Sequence, residues 1–253
     1  MLFRSGRGGI LLIYPPFGSF INPYVSLPAL SAWLKQCGHT VSLCDANRAF
    51  ARSMCGSGRL RDAQSMAGRR FRELNGREEL AFREAIEYAY LARALLGAEA
   101  FGSAFDTIGD NSHTMREEKL SAAIMAAVRL ATVEYFPETV DFAWPYPVYE
   151  SAVDPYSTED LLQSPATSRL VSDWFREYLP ALIHDKQPRA VGFSVCFASQ
   201  MTTACIGASV VREIAPDIHI TAGGGFVTTQ LPALAGTSLF TFFDTIIPGR
   251  GEI

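Results

Sequence analysis

No stretch of this 253-residue chain is long and apolar enough to span a bilayer. The longest apolar run is Ile10 to Tyr14 with its neighbours, so no membrane partner is expected. The basic N-terminus, Arg4 and Arg7, leads into that short run and then straight into Pro15-Pro16, the pattern of a strand and not of a signal peptide. Positive charge is also scarce: 22 Lys and Arg stand against 26 Asp and Glu. The net charge of -4 offers no general attraction to phosphate backbones and argues against nucleic acid as a partner. Cysteines are few and scattered, at Cys37, Cys44, Cys55, Cys196 and Cys205. Zinc or iron–sulfur sites need ligands at two- or three-residue gaps, so no metal ligand is assigned. An odd number of cysteines without a secretion signal reads as reduced thiols in a cytoplasmic protein. What is present is ordinary for a globular chain, with 48% hydrophobic and 19% charged residues.

The two ends of the chain share one grammar. Ile10-Leu11-Leu12-Ile13-Tyr14 is a continuous apolar run, as expected of a parallel strand covered on both faces. A helix follows, with Leu27, Leu30, Leu34 and Ala29, Trp33 at helical spacing and Gly38 just past its end. Thr40 to Cys44 is the next strand, ending at Asp45-Ala46-Asn47. Near the C-terminus, Ala190 to Val195 is a strand and Met201 to Ile214 a helix. Ile218 to Ala222 is a strand ending in Gly223-Gly224-Gly225, a short helix lies near Leu231 to Ala235, and Phe243 to Ile247 is the last strand. Five apolar strands joined by helices predict an α/β fold: a doubly wound, five-stranded parallel sheet in the flavodoxin-like order 2-1-3-4-5.

The sheet domain is expected over residues 1–47 and 186–253, with a helical insertion subdomain over 48–185 between strands 2 and 3. Asn75 with Glu78, and Thr114 with Glu117, resemble capping boxes. Leu120, Ile124, Ala127, Val128 and Ala131 form an apolar stripe. Ser164-Pro165 reads as an N-cap and first helical position, leading to Leu170, Val171, Trp174, Phe175 and Tyr178 on one face. Residues 137–157, rich in Pro and aromatics, are expected to be irregular.

In open parallel sheets the ligand sits beyond the carboxyl ends of the strands, where the strand order reverses. That edge carries Pro15-Pro16-Phe17-Gly18, Asp45-Ala46-Asn47, Ser194 to Ser199, Gly223-Gly224-Gly225 and Pro248-Gly249-Arg250-Gly251. Glycines there allow a large flat ligand to lie against the main chain. A dinucleotide site needs its glycines after the first strand, but Gly6, Gly8 and Gly9 precede it. A flavin phosphate loop wants several hydroxyls there, and Pro15 to Phe20 supplies just Ser19. The acidic residues of a phosphoryl receiver are likewise missing.

The order Gly-Phe-Ser194-Val195-Cys196, then 26 residues, then Gly223-Gly224-Gly225, resembles the Ser-x-Leu and Gly-Gly signatures of cobalamin-binding domains, with Cys196 where Leu is usual. The histidine motif that ligates cobalt in methionine-synthase-like proteins is missing, since none of His39, His113, His184 and His219 follows the first strand. That departure resembles the N-terminal domains of cobalamin-dependent radical S-adenosylmethionine (radical SAM) enzymes. Pro15-Pro16, the Leu27-Pro28-Ala29-Leu30 helix through Gly38-His39, Asp45-Ala46-Asn47, and Asp244 to Gly249-Arg250-Gly251-Glu252 carry that likeness over about 110 residues. Arg250 stands where the family has a glutamate.

The resemblance implies cobalamin held without a protein histidine on cobalt. By position, Ser194 and Gly223-Gly224 inherit the nucleotide-tail slot. Pro15, Phe17 and Asn22 are candidate lower-face contacts, Pro16 beside them belongs to the same expected cofactor set, and Asp45 and Asn47 either bond corrin amides or cap their loop. Val195, Ser199, Gly225, Gly249, Gly251 and Glu252 complete the expected cofactor set. The family's catalytic half, with its Cys-x-x-x-Cys-x-x-Cys motif, 4Fe-4S cluster and S-adenosylmethionine, is expected to be absent from this chain, and no catalytic residue is assigned. The chain is thus expected to position the corrinoid for methyl transfer or radical chemistry performed with a C-terminal radical SAM domain of the same parent protein. A second reading is a non-catalytic sensor or interaction module that has lost its cofactor.

Overall fold

The computed structural model describes residues 8–19, 24–105, 117–143, 146–234 and 237–249. The chain divides into two compact units, one formed by Met1–Gly18, Pro23–Asn47 and Ala152–Ile253, the other by Ser19–Asn22 and Arg48–Ser151.

In the first unit, β1 (Ile10–Tyr14), α1 (Ser26–Gln36) and β2 (Val41–Asp45) form a parallel crossover, with Leu12 opposite Leu43. Gly38, with φ of 84°, turns the chain after α1, a conformation that glycine adopts without steric cost. After the second unit, the chain returns through α6 (Thr158–Thr167) and α7 (Arg169–Lys186) to β5 (Ala190–Ser194). It continues through α8 (Ala198–Ile214), β6 (His219–Gly223) and α9 (Gly225–Leu234) to β7 (Thr245–Ile247). All pairings in this sheet are parallel and the spatial order is β2-β1-β5-β6-β7. Counting its own strands alone, that is 2-1-3-4-5: the doubly wound α/β fold legible in the sequence.

The two faces of this sheet are filled differently. On one face Leu11, Ile13, Val191, Phe193, Ile220 and Ala222 are all 2% exposed or less. There α8 comes in close through Gly207, where a Cβ would lie 3.0 Å from Phe193 and 3.1 Å from Phe175 of α7. On the other face Leu12 and Tyr14 pack with Leu27 of α1, flanked by Leu30, Leu34 and Ile10.

The stretch expected as insertion thus ends earlier than residue 185. Helices α6 and α7 belong with the sheet, because Leu170, Val171, Trp174, Phe175, Leu179 and Ile183 bury one face of α7. A crossover into β5 needs such a helix on the face opposite α1. Ser164-Pro165 is not a helix start either: both lie inside α6, whose N-cap is Ser157, accepting from Asp160 N–H at 3.2 Å. Pro165 has no N–H to give Leu161 O, and Ser164 Oγ, donating to that carbonyl at 2.7 Å, takes its place.

The second unit holds α2 from Arg48 onward (the helix is Ala46–Met54), α3 (Ser57–Asn75), α4 (Phe82–Phe105), α5 (Glu117–Ala131) and the antiparallel pair β3 (Thr139–Ala143) and β4 (Tyr146–Glu150). Small residues bring α4 and α5 together: a Cβ on Gly97 would lie 3.1 Å from Ala126. On α5, Ala127, Val128 and Ala131 of the expected stripe are buried. Residues 137–157, expected to be irregular, contain this hairpin, whose Val140 and Tyr149 pair in register and are buried. Asn75 ends α3 instead of opening a helix, and accepts from Tyr88 Oη at 2.8 Å. The start of α4 is capped by Glu84, which accepts from Ala81 N–H at 3.2 Å. The other expected box falls at Thr114, outside the described residues. Among the described residues, no helix is long and apolar enough to cross a membrane.

Candidate functional site

The strand order reverses between β1 and β5, and the loops leaving these strands are stitched together there. Gln200 of α8, fully buried, donates to Pro15 O at 2.9 Å and accepts from Cys196 N–H at 2.9 Å and Phe197 N–H at 3.3 Å. Thr203 Oγ1 adds a bond to Pro16 O at 3.3 Å. Burial, with Cys196 nearby, pushes the Tyr14 phenol well above its ordinary range, so it stays a neutral hydroxyl. Gly18 is required beneath it, because a Cβ there would collide with the Tyr14 ring.

Beside this junction, on the α1 face of the sheet, runs a groove of about 380 Å³. That lies in the range of small-molecule sites, ~300–1,000 Å³. Its floor is made by alternate residues of two neighbouring strands: Ala190, Gly192 and Ser194 of β5, and Thr221 and Gly223 of β6. Side chains alternate across a strand, so this one face carries a strip of small residues where an ordinary sheet carries Val, Ile or Leu. Leu27, Leu30 and Leu34 of α1 form one wall, while Ile247 and Gly249 bound the β7 side. Ser26, in the first turn of α1, and Ser194 share a hydrogen bond of 3.0 Å between their hydroxyls. Thr221 also lines the groove, and its Oγ1 is shut off from solvent with no hydrogen-bonding partner among the described residues. Leaving such a hydroxyl unpaired costs about 1–3 kcal/mol.

The glycine turn after β6 is built by close approach. Gly224 has φ of 115°, and a Cβ on it would lie 2.9 Å from Val195 N. Val195 N–H donates to Gly223 O at 2.7 Å, and Phe226 N–H to Val195 O at 3.2 Å, which locks the turn against β5. Gly249, with φ of 83°, donates its N–H to Thr228 Oγ1 of α9 at 2.9 Å.

Of the residues expected to bind a cofactor, Ser194, Gly223, Gly224 and Gly249 line this one groove. Val195 supports it through its backbone, and Gly225 opens α9 with room, among the described residues, where a Cβ would stand. Ser199 is half-buried in the first turn of α8. Pro15, Pro16 and Phe17 are buried in the stitched loop and do not line the groove. Asp45 is half-buried at the end of the edge strand β2, across β1 from the groove. Asn47 is fully buried, and its Oδ1 accepts from Phe17 N–H at 2.9 Å and Gly18 N–H at 3.1 Å. That is the loop-capping alternative, and it holds Phe17 at its φ of 75°. Asn22, Gly251 and Glu252 lie outside the described residues.

Sequence reasoning missed Gly192, Thr221 and Ser26. The first two had a usable signal, since Ala-x-Gly-x-Ser and Thr-x-Gly at period 2 mark a face stripped of bulk. Ser26, 168 residues from Ser194, had none. Asp244, the acid of the C-terminal motif, acts structurally: its carboxylate accepts from Arg212 at 2.7 Å and Ile220 N–H at 2.8 Å, joining β6 to the approach of β7. Comparison of the chain with protein-family models, with curated proteins and with solved structures gave no match.

Proposed function

We propose that this chain is the cobalamin-binding part of a cobalamin-dependent radical SAM enzyme, and that the groove beside β5, β6 and β7 receives the nucleotide tail of the corrinoid. The observation that carries the reading is the strip of small residues on one face of two adjacent strands, bounded by an apolar helix wall. A nucleotide tail is a flat ring on a sugar–phosphate arm. It needs apolar surface against the ring faces and a few polar groups at its edge.

The residues fit that demand. Gly192 and Gly223 leave room over the floor, where added Cβ atoms would stand 3.0 Å from Leu12 and 3.1 Å from Ile247 O. The leucines of α1 offer a ring face, and the hydroxyl of Ser194 offers an edge bond. When bound, cobalamin supplies the carrier for methyl transfer or radical rearrangement, with the 4Fe-4S cluster and S-adenosylmethionine belonging to a separate catalytic domain. The residues of this chain would bind and orient that group: the small residues of the floor and the leucines of α1 would hold its tail. Holding two reactive centres in register lowers the entropic part of the barrier. A cytoplasmic setting, in which thiols stay reduced, suits the five free cysteines.

The experiment is a spectral titration with hydroxocobalamin of the wild-type chain and of Ser194→Trp, with circular dichroism reporting the fold of each. The wild type is expected to show a saturable shift. A folded Ser194→Trp should bind about tenfold more weakly or worse, a loss of ~1.4 kcal/mol. Equal uptake by both removes the slot. No uptake by the wild type removes cobalamin and leaves the interaction-module reading.

A further inference from the structure

Thr221 marks a depth in the groove. It lies two residues before Gly223 on β6, roughly 6.6 Å further from the carboxyl edge at 3.3 Å per residue. A fused bicyclic ring entering past Ser194 and Gly223 would therefore bring its far edge to Thr221. The hydroxyls of Ser26 and Ser194 near the mouth already satisfy each other at 3.0 Å. Deeper in lies Thr221, whose Oγ1 has no partner among the described residues and is shut off from water. The surrounding surface is apolar, supplied by Leu30, Leu34 and Ala190. A valine would fill the same volume without stranding a hydroxyl. The residue present is matched to an occupant with a polar far edge, toward which a turn about the Cα–Cβ bond would carry Oγ1.

Resting on the cobalamin reading, we infer that Thr221 selects the lower base of the corrinoid and that the groove prefers a purine base to dimethylbenzimidazole. The six-membered ring of adenine carries ring nitrogens and an exocyclic amine, each able to pair with a hydroxyl. Dimethylbenzimidazole presents two methyl groups at the same edge and leaves Oγ1 stranded. A site that pairs a polar group discriminates against an analogue lacking its partner, because the unpaired group stays buried.

The test compares cobalamin, its adenine-containing analogue and cobinamide, which lacks the base, in spectral titrations of the wild type, Thr221→Val and Thr221→Ser. The adenine analogue is expected to bind the wild type about tenfold more tightly than cobalamin, the value of one hydrogen bond. The preference should vanish in Thr221→Val through weaker binding of the adenine form, and survive in Thr221→Ser. Equal affinities for the two bases in the wild type, or a preference unchanged in Thr221→Val, overturn the inference and leave cobalamin binding intact. If cobinamide matches both complete forms, the tail does not enter the groove and the inference falls while corrin binding stands. If none of the three binds, both readings fall.

Discussion

Gly224 rests on the main chain of Val195: its φ is 115°, and a Cβ there would stand 2.9 Å from both Val195 N and Val195 C. The turn that closes the groove exists because one residue has no side chain. Gly224→Ala should therefore destabilise the fold by about 2 kcal/mol or more, combining backbone strain with the clash. Its neighbour Gly225 has open space where a Cβ would go, and it starts a helix. Gly225→Ala should be neutral or stabilising by a few tenths of a kcal/mol. Urea unfolding of the two variants checks the contrast, and equal midpoints would remove the close-approach argument.

Asn47, a ligand candidate by position, acts as scaffold by geometry, and Gln200 is scaffold beside it. Asn47→Ala releases the N–H groups of Phe17 and Gly18, and Gln200→Leu releases Pro15 O and Cys196 N–H. Each should lower stability by about 1–3 kcal/mol, the cost of stranding buried polar groups. At a temperature where both remain folded, Asn47→Ala should change cobalamin affinity less than twofold, because its side chain faces its own loop. A tenfold loss of affinity in a folded Asn47→Ala would return the residue to the binding set.

Thiol labelling maps the same region. Cys37 is exposed, while Cys44 and Cys205 are buried. Burial pushes the Cys44 thiol up to about 11 and the Cys55 thiol up to about 12, and raises that of Cys205 as well. In the native protein Cys37 should react fastest with a disulfide reagent, and Cys44 and Cys205 should stay silent until unfolding. Cys196 is half-buried and packs against the Leu12, Tyr14 and Leu27 cluster at the groove. Bound cobalamin should slow its labelling and leave that of Cys37 unchanged. Identical Cys196 rates with and without cobalamin would place the ligand elsewhere.

Asp244 links stability to pH. Burial works to raise its pKa, but the hydrogen bond from Ile220 N–H and the Arg212 guanidinium outweigh it and hold the carboxyl below the ordinary range. A carboxyl depressed in the folded state contributes stability above its unfolded pKa, near 4, and loses it as pH falls through the lower folded value. The side chain is 39% exposed, so the contribution is about 1 kcal/mol. Asp244→Asn should lower stability by that amount at neutral pH and flatten the acid limb of the stability curve below about pH 4. A variant with an unchanged acid limb would show that other carboxylates carry it.

Much of this architecture was legible because its signals are local. The run Ile10 to Tyr14 reads as a strand covered on both faces, and Leu11 to Tyr14 are all buried. Ser194, Gly223, Gly224 and Gly249 were found by their place at strand ends, and they line one groove. Signals that depend on distant partners misled. Ser164-Pro165 has the composition of a helix start, yet the serine serves a carbonyl freed by the proline inside α6. Tyr149 and its aromatic neighbours suggested irregular chain, while the pairing of β3 with β4 is fixed by contacts that composition does not encode. Thr221 was passed over as an ordinary strand residue, because an unpaired hydroxyl becomes visible only when its surroundings are in place.

The reading turns on where the nucleotide tail lies, and electron paramagnetic resonance of the cobalt(II) form bound to the chain measures that most directly. If the tail sits against β5 and β6, its ring is away from the metal, and the proposed binding mode puts no protein histidine in its place. The spectrum should then lack the nitrogen superhyperfine splitting of a base-coordinated corrinoid. A clear nitrogen triplet in the bound form would contradict the account.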